Sequence, residues 1–167
     1  SPRATPPVER SHEEDFVIMY SGGLSELKGV DRLLDAFSQL ESPSFRLWVT
    51  GMGPLRDRVQ AAAQTDPRIK FWGFTEDSVL TSLYSSADVL VNPHSVRHAT
   101  ARYLFPSKLI EYLGTGIPVI STCSTPEIAA EYGDVLFVAR DDGAQSLAEV
   151  IRAVAAIPRA DRMAIGE

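Results

Sequence analysis

The chain has 167 residues, 44% apolar and 23% charged, enough for one domain with a full core. No stretch approaches the roughly 18 consecutive apolar residues of a membrane span. The single cysteine, Cys123, excludes an internal disulfide and suits a reducing, cytoplasmic compartment, while 16 basic against 22 acidic residues (net −6) argue against bulk binding to nucleic acid or anionic membranes.

Residues 1–15 hold three prolines and few apolar groups, and read as a linker or extended arm. Residues 16–20 (FVIMY) are apolar throughout, as in a strand covered on both faces. Ser21, Gly22 and Gly23 follow as a turn. Val30, Leu33, Leu34, Phe37 and Leu40 fall at helical spacing, which predicts an amphipathic helix over 29–41. A second strand spans 45–50 and ends at Gly51-Met-Gly53. Pro54 suits a first helical position, for a helix through Val59 to about Ala63. The third strand, 69–72, runs into Gly73 and Phe74. A helix over 76–86 is expected to bury Val79, Leu80, Leu83 and Tyr84. The fourth strand, 88–92, is closed by Pro93.

Residues 94–104 show no period. His94, Arg97, His98 and Arg102 there belong to a solvated loop, or else contact phosphates or an acidic sugar. Pro106 opens a helix that stops at Gly114-Thr-Gly116. A strand over 119–121, a helix from Glu127 to Tyr132, a strand over 135–138 and a helix over 144–157 continue the alternation. Residues 158–167 resemble the start of another helix, as in a fragment of a longer protein. Strands alternating with helices through short turns predict an open α/β sheet with ligands at the carboxyl ends of its strands.

Chemistry concentrates in the loops after the strands. Gly22 and Gly23, and Gly51 and Gly53, either let backbone N–H groups approach a ligand or serve the φ angles of strand-to-helix turns. Arg56 stands where a G-x-G-x-x-G run needs its third glycine, which disfavours NAD and FAD. Lys28, just before the first helix, reaches an anion at the strand ends or is simply solvated.

Residues 105–112 (FPSKLIEY) are the sharpest group. With Pro106 first in the helix, the N–H groups of Ser107 and Lys108 point outward at the positive end of the dipole. Lys108 adds a full charge, which makes this end suited to phosphate. Glu111 shares a face with Ser107 and Lys108. It either accepts from two ribose hydroxyls or forms an ordinary surface pair with Lys108. Leu109, Ile110 and Leu113 are predicted to pack on the sheet. Cys123 is expected as a small buried residue near a strand end, with no nucleophilic role. Asp141 and Asp142 are expected in a turn. The sequence has no Asp-x-Asp and no Cys/His cluster, so neither a metal-held sugar donor nor a structural zinc is expected.

Residues 21–29 (SGGLSELKG), 49–55 (VTGMGPL), 71–74 (FWGF), 83–93 (LYSSADVLVNP), 105–112 and 116–120 (GIPVI), with Pro126-Glu127, follow the order of a known family. Over about residues 16–167 the chain resembles the C-terminal, donor-binding half of group 1 glycosyltransferases. The resemblance implies one half of a GT-B fold, a Rossmann-like open parallel sheet of about six strands with helices on both faces. It implies a nucleotide-diphosphate sugar as donor and retention at the anomeric carbon. The acceptor would be a glycan or lipid-linked molecule, as in polysaccharide biosynthesis, and no metal or other cofactor would be needed.

On that resemblance Gly22 and Gly23 would lie against the donor phosphates, with Gly51, Gly53 and Ser107 in the same donor site. Lys28 and Lys108 would be catalytic, neutralising the diphosphate leaving group. Glu111 would hold the ribose, and Phe74 would border the base. Two positions depart from the family pattern. Gly23 stands where an arginine is frequent, and Tyr103 stands where an E-x7-E pair has its first glutamate. Arg97, His98 and Arg102 are the groups nearby that would compensate. An N-terminal half would carry the acceptor site, so this chain is expected to bind donor nucleotide and transfer no sugar. The full-length enzyme would be cytoplasmic or membrane-peripheral. A sugar-nucleotide epimerase half and a non-catalytic α/β module are the alternatives. Glycines at 22, 23 and 73 stand where a receiver module needs acidic residues, and Lys28, Lys108 and Glu111 favour the transferase.

Overall fold

The apolar runs form six strands in a computed structural model that describes residues 12–96 and 107–165. The expectations for residues 1–11 and for Arg97, His98, Arg102, Tyr103 and Pro106 lie outside the described residues. The strands are β1 (Phe16–Ser21), β2 (Phe45–Thr50), β3 (Ile69–Gly73), β4 (Val89–Asn92), β5 (Val119–Ser121) and β6 (Leu136–Val138). The helices are α1 (Val30–Ser38), α2 (Arg56–Thr65), α3 (Asp77–Ser86), α4 (Ser107–Leu113), α5 (Pro126–Tyr132), α6 (Ala144–Ala156) and α7 (Arg159–Ala164). All strand pairs are parallel, in the order β3-β2-β1-β4-β5-β6. The chain winds outward from β1 to β3, then returns to lay β4 on the other side of β1. The direction of winding therefore reverses between β1 and β4, which is where open α/β sheets form a ligand crevice.

Every residue of β1 is buried, because the strand is covered on both faces. Ile18 and Tyr20 pack with Leu33 and Phe37 of α1 and Leu147 and Ile151 of α6. Val17 and Met19 point the other way, to Leu83 of α3 and Leu109 and Tyr112 of α4. Each fully buried aliphatic side chain contributes about 1.5–3 kcal/mol, which is why the strand tolerates no polar alternation. The helices thus lie on both faces of a Rossmann-like sheet.

Helix boundaries are set by the neighbouring loops. Gly29 enters α1 at φ 80°, and a Cβ there would stand 1.7 Å from Pro93 O. Only glycine fits, so α1 starts at Val30. Pro54 was expected as the first helical residue, but α2 begins at Arg56. The Leu55 N–H donates to Leu24 O at 2.8 Å, which holds Pro54 in the preceding turn. In α3 Leu83 is buried, while Val79, Leu80 and Tyr84 are half-buried. Ile110 was expected to pack on the sheet. It is 37% exposed, and Tyr112 is fully enclosed in its place. Leu109, Tyr112 and Leu113 stand at i, i+3 and i+4, one stripe of a helix, whereas Ile110 is rotated about 100° from Leu109.

The amino-terminal floor of the sheet is tied by ions. Arg162 of α7 pairs with Asp88 at 3.6 Å, their side chains 9% and 6% exposed. Asp88 Oδ2 also accepts from Val17 N at 2.7 Å. Arg162 donates to the carbonyls of Ala155 and Ile157, and its guanidinium lies 4.9 Å from the Phe16 ring centre. Asp15 pairs with Arg46 at 3.4 Å. No helix among the described residues is long and apolar enough to cross a membrane.

Candidate functional site

At the carboxyl rim the loops after β1, β2 and β3 are stacked on one another. Gly22 N donates to Thr50 O at 3.3 Å, Gly51 N to Gly73 O at 2.9 Å and Leu24 N to Met52 O at 2.9 Å. A Cβ at Gly51, where φ is 130°, would stand 1.8 Å from Gly22 O, and one at Gly53 would stand 2.4 Å from Leu24 O. These two glycines let one loop sit directly on the next. Their lack of a side chain is accounted for by that contact, and the amides of Gly22 and Gly51 are already engaged within the rim.

An open cleft of about 660 Å³ lies over this stack, walled by Gly22, Gly23, Gly51, Met52, Phe74 and Glu76 among others. Gly53 is not among its lining residues, because it lies under the first loop. Phe74 is 75% exposed and Met52 64% exposed, so the cleft presents an aromatic face and a thioether to solvent. Glu76 and Asp77, at the start of α3, line the same cleft and are exposed.

The two candidate lysines come from opposite sides of the first loop. A Cβ at Gly23 would lie 3.5 Å from Lys28 Cγ, and one at Gly22 would lie 3.6 Å from Lys108 Cε. Residues 80 positions apart in sequence therefore flank one glycine turn. Lys108 Nζ also meets Glu111 Oε2 at 3.3 Å, with the two side chains 30% and 51% exposed. An exposed pair of this kind holds loosely and leaves the ammonium accessible. Ser107 is exposed at the start of α4. The structure thus brings Gly22, Gly23, Lys28, Lys108 and Glu111 to one region, with Phe74 across the cleft from the glycine turn.

Three tyrosines around this turn had no site role in the sequence reading, which expected Tyr84 only as a buried residue of its helix. Tyr20 Oη donates to Gly23 O at 2.6 Å. Tyr112 Oη accepts from Ser21 N and donates to Ser21 O, both at 2.9 Å. Tyr84 Oη lies 3.5 Å from Glu111 Oε1, and its ring meets that of Tyr112 edge-on at 5.9 Å. Burial raises all three phenol pKa values. Tyr84 is pushed up to about 12, with the Glu111 carboxylate adding to the effect of burial. The only sequence signal for Tyr112 was its place three residues after Leu109 on a buried stripe.

Beside β4, Asp141 makes the expected turn, its carboxylate accepting from Gly143 N at 2.8 Å. Asp142 does something else. It is 1% exposed and accepts from Val96 N at 3.0 Å and from Ser95 Oγ at 3.4 Å, fixing the segment that follows β4. His94 O accepts from Thr122 Oγ1 at 2.6 Å. Cys123 is half-buried just past β5, and burial raises its thiol pKa, which disfavours the nucleophilic thiolate.

Comparison with known proteins gives the family and the fold. Over 153 residues the chain is 30% identical to the GDP-mannose-dependent alpha-(1-6)-phosphatidylinositol dimannoside mannosyltransferase of Mycobacterium tuberculosis, covering 88% of this chain and 37% of that protein. The chain thus spans well under half the length of this relative. HepE of Anabaena, solved with UDP and glucose, superposes with a TM-score of 0.69 at 24% identity, over 92% of this chain and 42% of that one. The C-terminal domain of a group 1 family protein from Francisella tularensis superposes with a TM-score of 0.69 at 18% identity, over 98% of this chain and 91% of that domain. These likenesses give the fold as that of GT-B glycosyltransferases. Residues 15–156 match the family described as glycosyl transferases group 1, and the chain belongs to that family.

Proposed function

We propose that this domain holds the nucleotide diphosphate of a sugar donor and forms the donor-binding half of a retaining glycosyltransferase. One observation carries the reading: Lys28 and Lys108 flank the Gly22–Gly23 turn at the mouth of an open cleft. A diphosphate leaving group gains negative charge as the glycosidic bond breaks. Two ammonium groups beside it stabilise that charge more in the transition state than in the ground state. They would supply the charge neutralisation that a metal ion gives in other donor sites, so transfer is expected to need none. Glu111, beside Lys108, would accept from ribose hydroxyls.

The base would lie in the cleft against Phe74 and Met52. Guanine suits the carboxylates of Glu76 and Asp77 best. Its N1–H and N2 amino group are adjacent donors that a carboxylate accepts together, whereas uracil places an acceptor on each side of its single N–H. The mycobacterial relative, by its name, depends on GDP-mannose. The acceptor, glycan or lipid-linked, would be held by residues outside this chain.

Calorimetric titration with GDP, UDP and ADP tests the reading. GDP should bind most tightly, and Lys108→Ala should weaken it by about tenfold or more, the effect of losing one charge-assisted contact. Failure of every nucleotide to bind the folded chain would overturn it. The chain alone should transfer no sugar, and detectable transfer from a nucleotide sugar would refute that part. For the whole enzyme, NMR of the glycoside product should show the donor's anomeric configuration.

A further inference from the structure

The sheet opens at the place where the winding reverses. β1 pairs with β4 only at Ile18 and Met19, opposite Val89 and Leu90. Ser21, two residues on, has β2 on one side and, among the described residues, no strand on the other. In a strand the N–H and C=O of one residue point to the same side, so the splay leaves both groups of Ser21 without a ladder partner toward β4. Tyr112 fills that gap. Its hydroxyl accepts from Ser21 N and donates to Ser21 O at 2.9 Å each, as a neighbouring peptide would, across 91 residues of sequence.

The same side chain reaches the lysine. Lys108 Nζ lies 5.5 Å from the centre of the Tyr112 ring, within the range in which a cation is drawn to an aromatic face. The ring is fully buried and packed edge-on against Tyr84. Phenylalanine would fill the same space, so packing alone does not call for the hydroxyl.

We infer that Tyr112 is a positioning residue: its hydroxyl replaces the missing strand at Ser21 and so fixes the Gly22–Gly23 turn relative to Lys108. This rests on the proposal that the turn and the lysine receive a diphosphate. The residue contacts no phosphate itself. It acts by setting the distance between the backbone of the turn and the cation on α4.

Tyr112→Phe removes the hydroxyl and keeps the ring. Two measurements read the consequence, both on the chain as it stands. The first is amide hydrogen exchange by NMR without ligand. Exchange at Ser21 and Gly22 should rise by about tenfold or more relative to wild type, as expected for loss of a buried hydrogen bond, while Val91 and Asn92 of β4 stay unchanged. Equal acceleration across the sheet, or none at Ser21, would overturn the inference.

The second is a set of paired titrations with GDP and guanosine, and with UDP and uridine. The diphosphates should weaken by about tenfold and the nucleosides by less than about twofold. Equal weakening of both, or of neither, would show a merely structural role. If wild type binds no diphosphate while the exchange change is confined to β1, the clamp stands and the donor-binding proposal fails.

Discussion

The two rims of the sheet use charge in opposite ways. At the amino-terminal floor, Arg162 and Asp88 are buried, and each also bonds to backbone: Asp88 to Val17 N, Arg162 to the carbonyls of Ala155 and Ile157. At the carboxyl rim, Lys108 and Glu111 pair at 3.3 Å, touch only the side chains of Tyr112 and Tyr84 besides, and remain partly exposed. Backbone around the Gly22–Gly23 turn is held by uncharged groups, the tyrosine hydroxyls and the stacked glycines. Charge that is buried and bonded to backbone secures the fold, whereas charge that is loosely paired beside an open cleft is available for a ligand.

The largest test of this contrast is at the floor. Arg162→Ala should destabilise the domain by about 3–5 kcal/mol in urea denaturation, since it strips a buried carboxylate of its guanidinium. A loss below about 1 kcal/mol would mean that the floor is no more dependent on its ions than an exposed surface. Next comes Gly51→Ala. The added Cβ would meet Gly22 O at a position with positive φ, so the two loops must separate. A cost of about 1–3 kcal/mol is expected, together with weaker nucleotide binding, and unchanged binding would show that the loop stack does not shape the cleft.

Lys108→Ala belongs at the other end of the scale for stability. Its denaturation midpoint should shift by no more than about 0.5 kcal/mol, even though nucleotide binding falls. A large stability loss would place Lys108 with the structural charges and collapse the distinction between the rims.

The smallest effect is alkaline. Tyr84 has a folded pKa of about 12, above the ordinary phenol value of 10.0. A raised pKa adds stability that is whole below about pH 10 and is lost as pH climbs through about 12. Ultraviolet tyrosinate titration should therefore show an ionisation in that window that Tyr84→Phe removes. An ionisation near pH 10 at this residue would mean that the rim is more hydrated than the packing of Tyr84 on Tyr112 implies.

Much of the fold was legible because short-range pattern decides it. FVIMY has no polar alternation, which is only possible for a strand covered twice, and β1 is that strand. The grouping of Lys28, Lys108 and the glycine turn was also foreseeable, since all of them follow or precede strand ends in a parallel sheet. What stayed hidden depends on contacts between distant segments. Tyr112 looks like one more apolar residue of α4 until β1 is seen to lose its partner at Ser21. Ile110 and Tyr112 exchange burial because a helix of seven residues leaves the phase of its stripe poorly defined by sequence alone. Gly51 and Gly53 invited a ligand reading because a bare backbone in a rim loop looks the same whether a phosphate or another loop lies on it.

The seating of Gly22 and Leu24 on Gly51 and Gly53 also limits how this domain can be redesigned. The two loops are complementary halves of a single joint. A chimera that imports the β2–α2 loop from a homologue, to change which base is read, would bring a shape matched to another β1–α1 loop. Transplants confined to one segment should yield poorly folded hybrids, and exchange of both segments as a cassette should restore them.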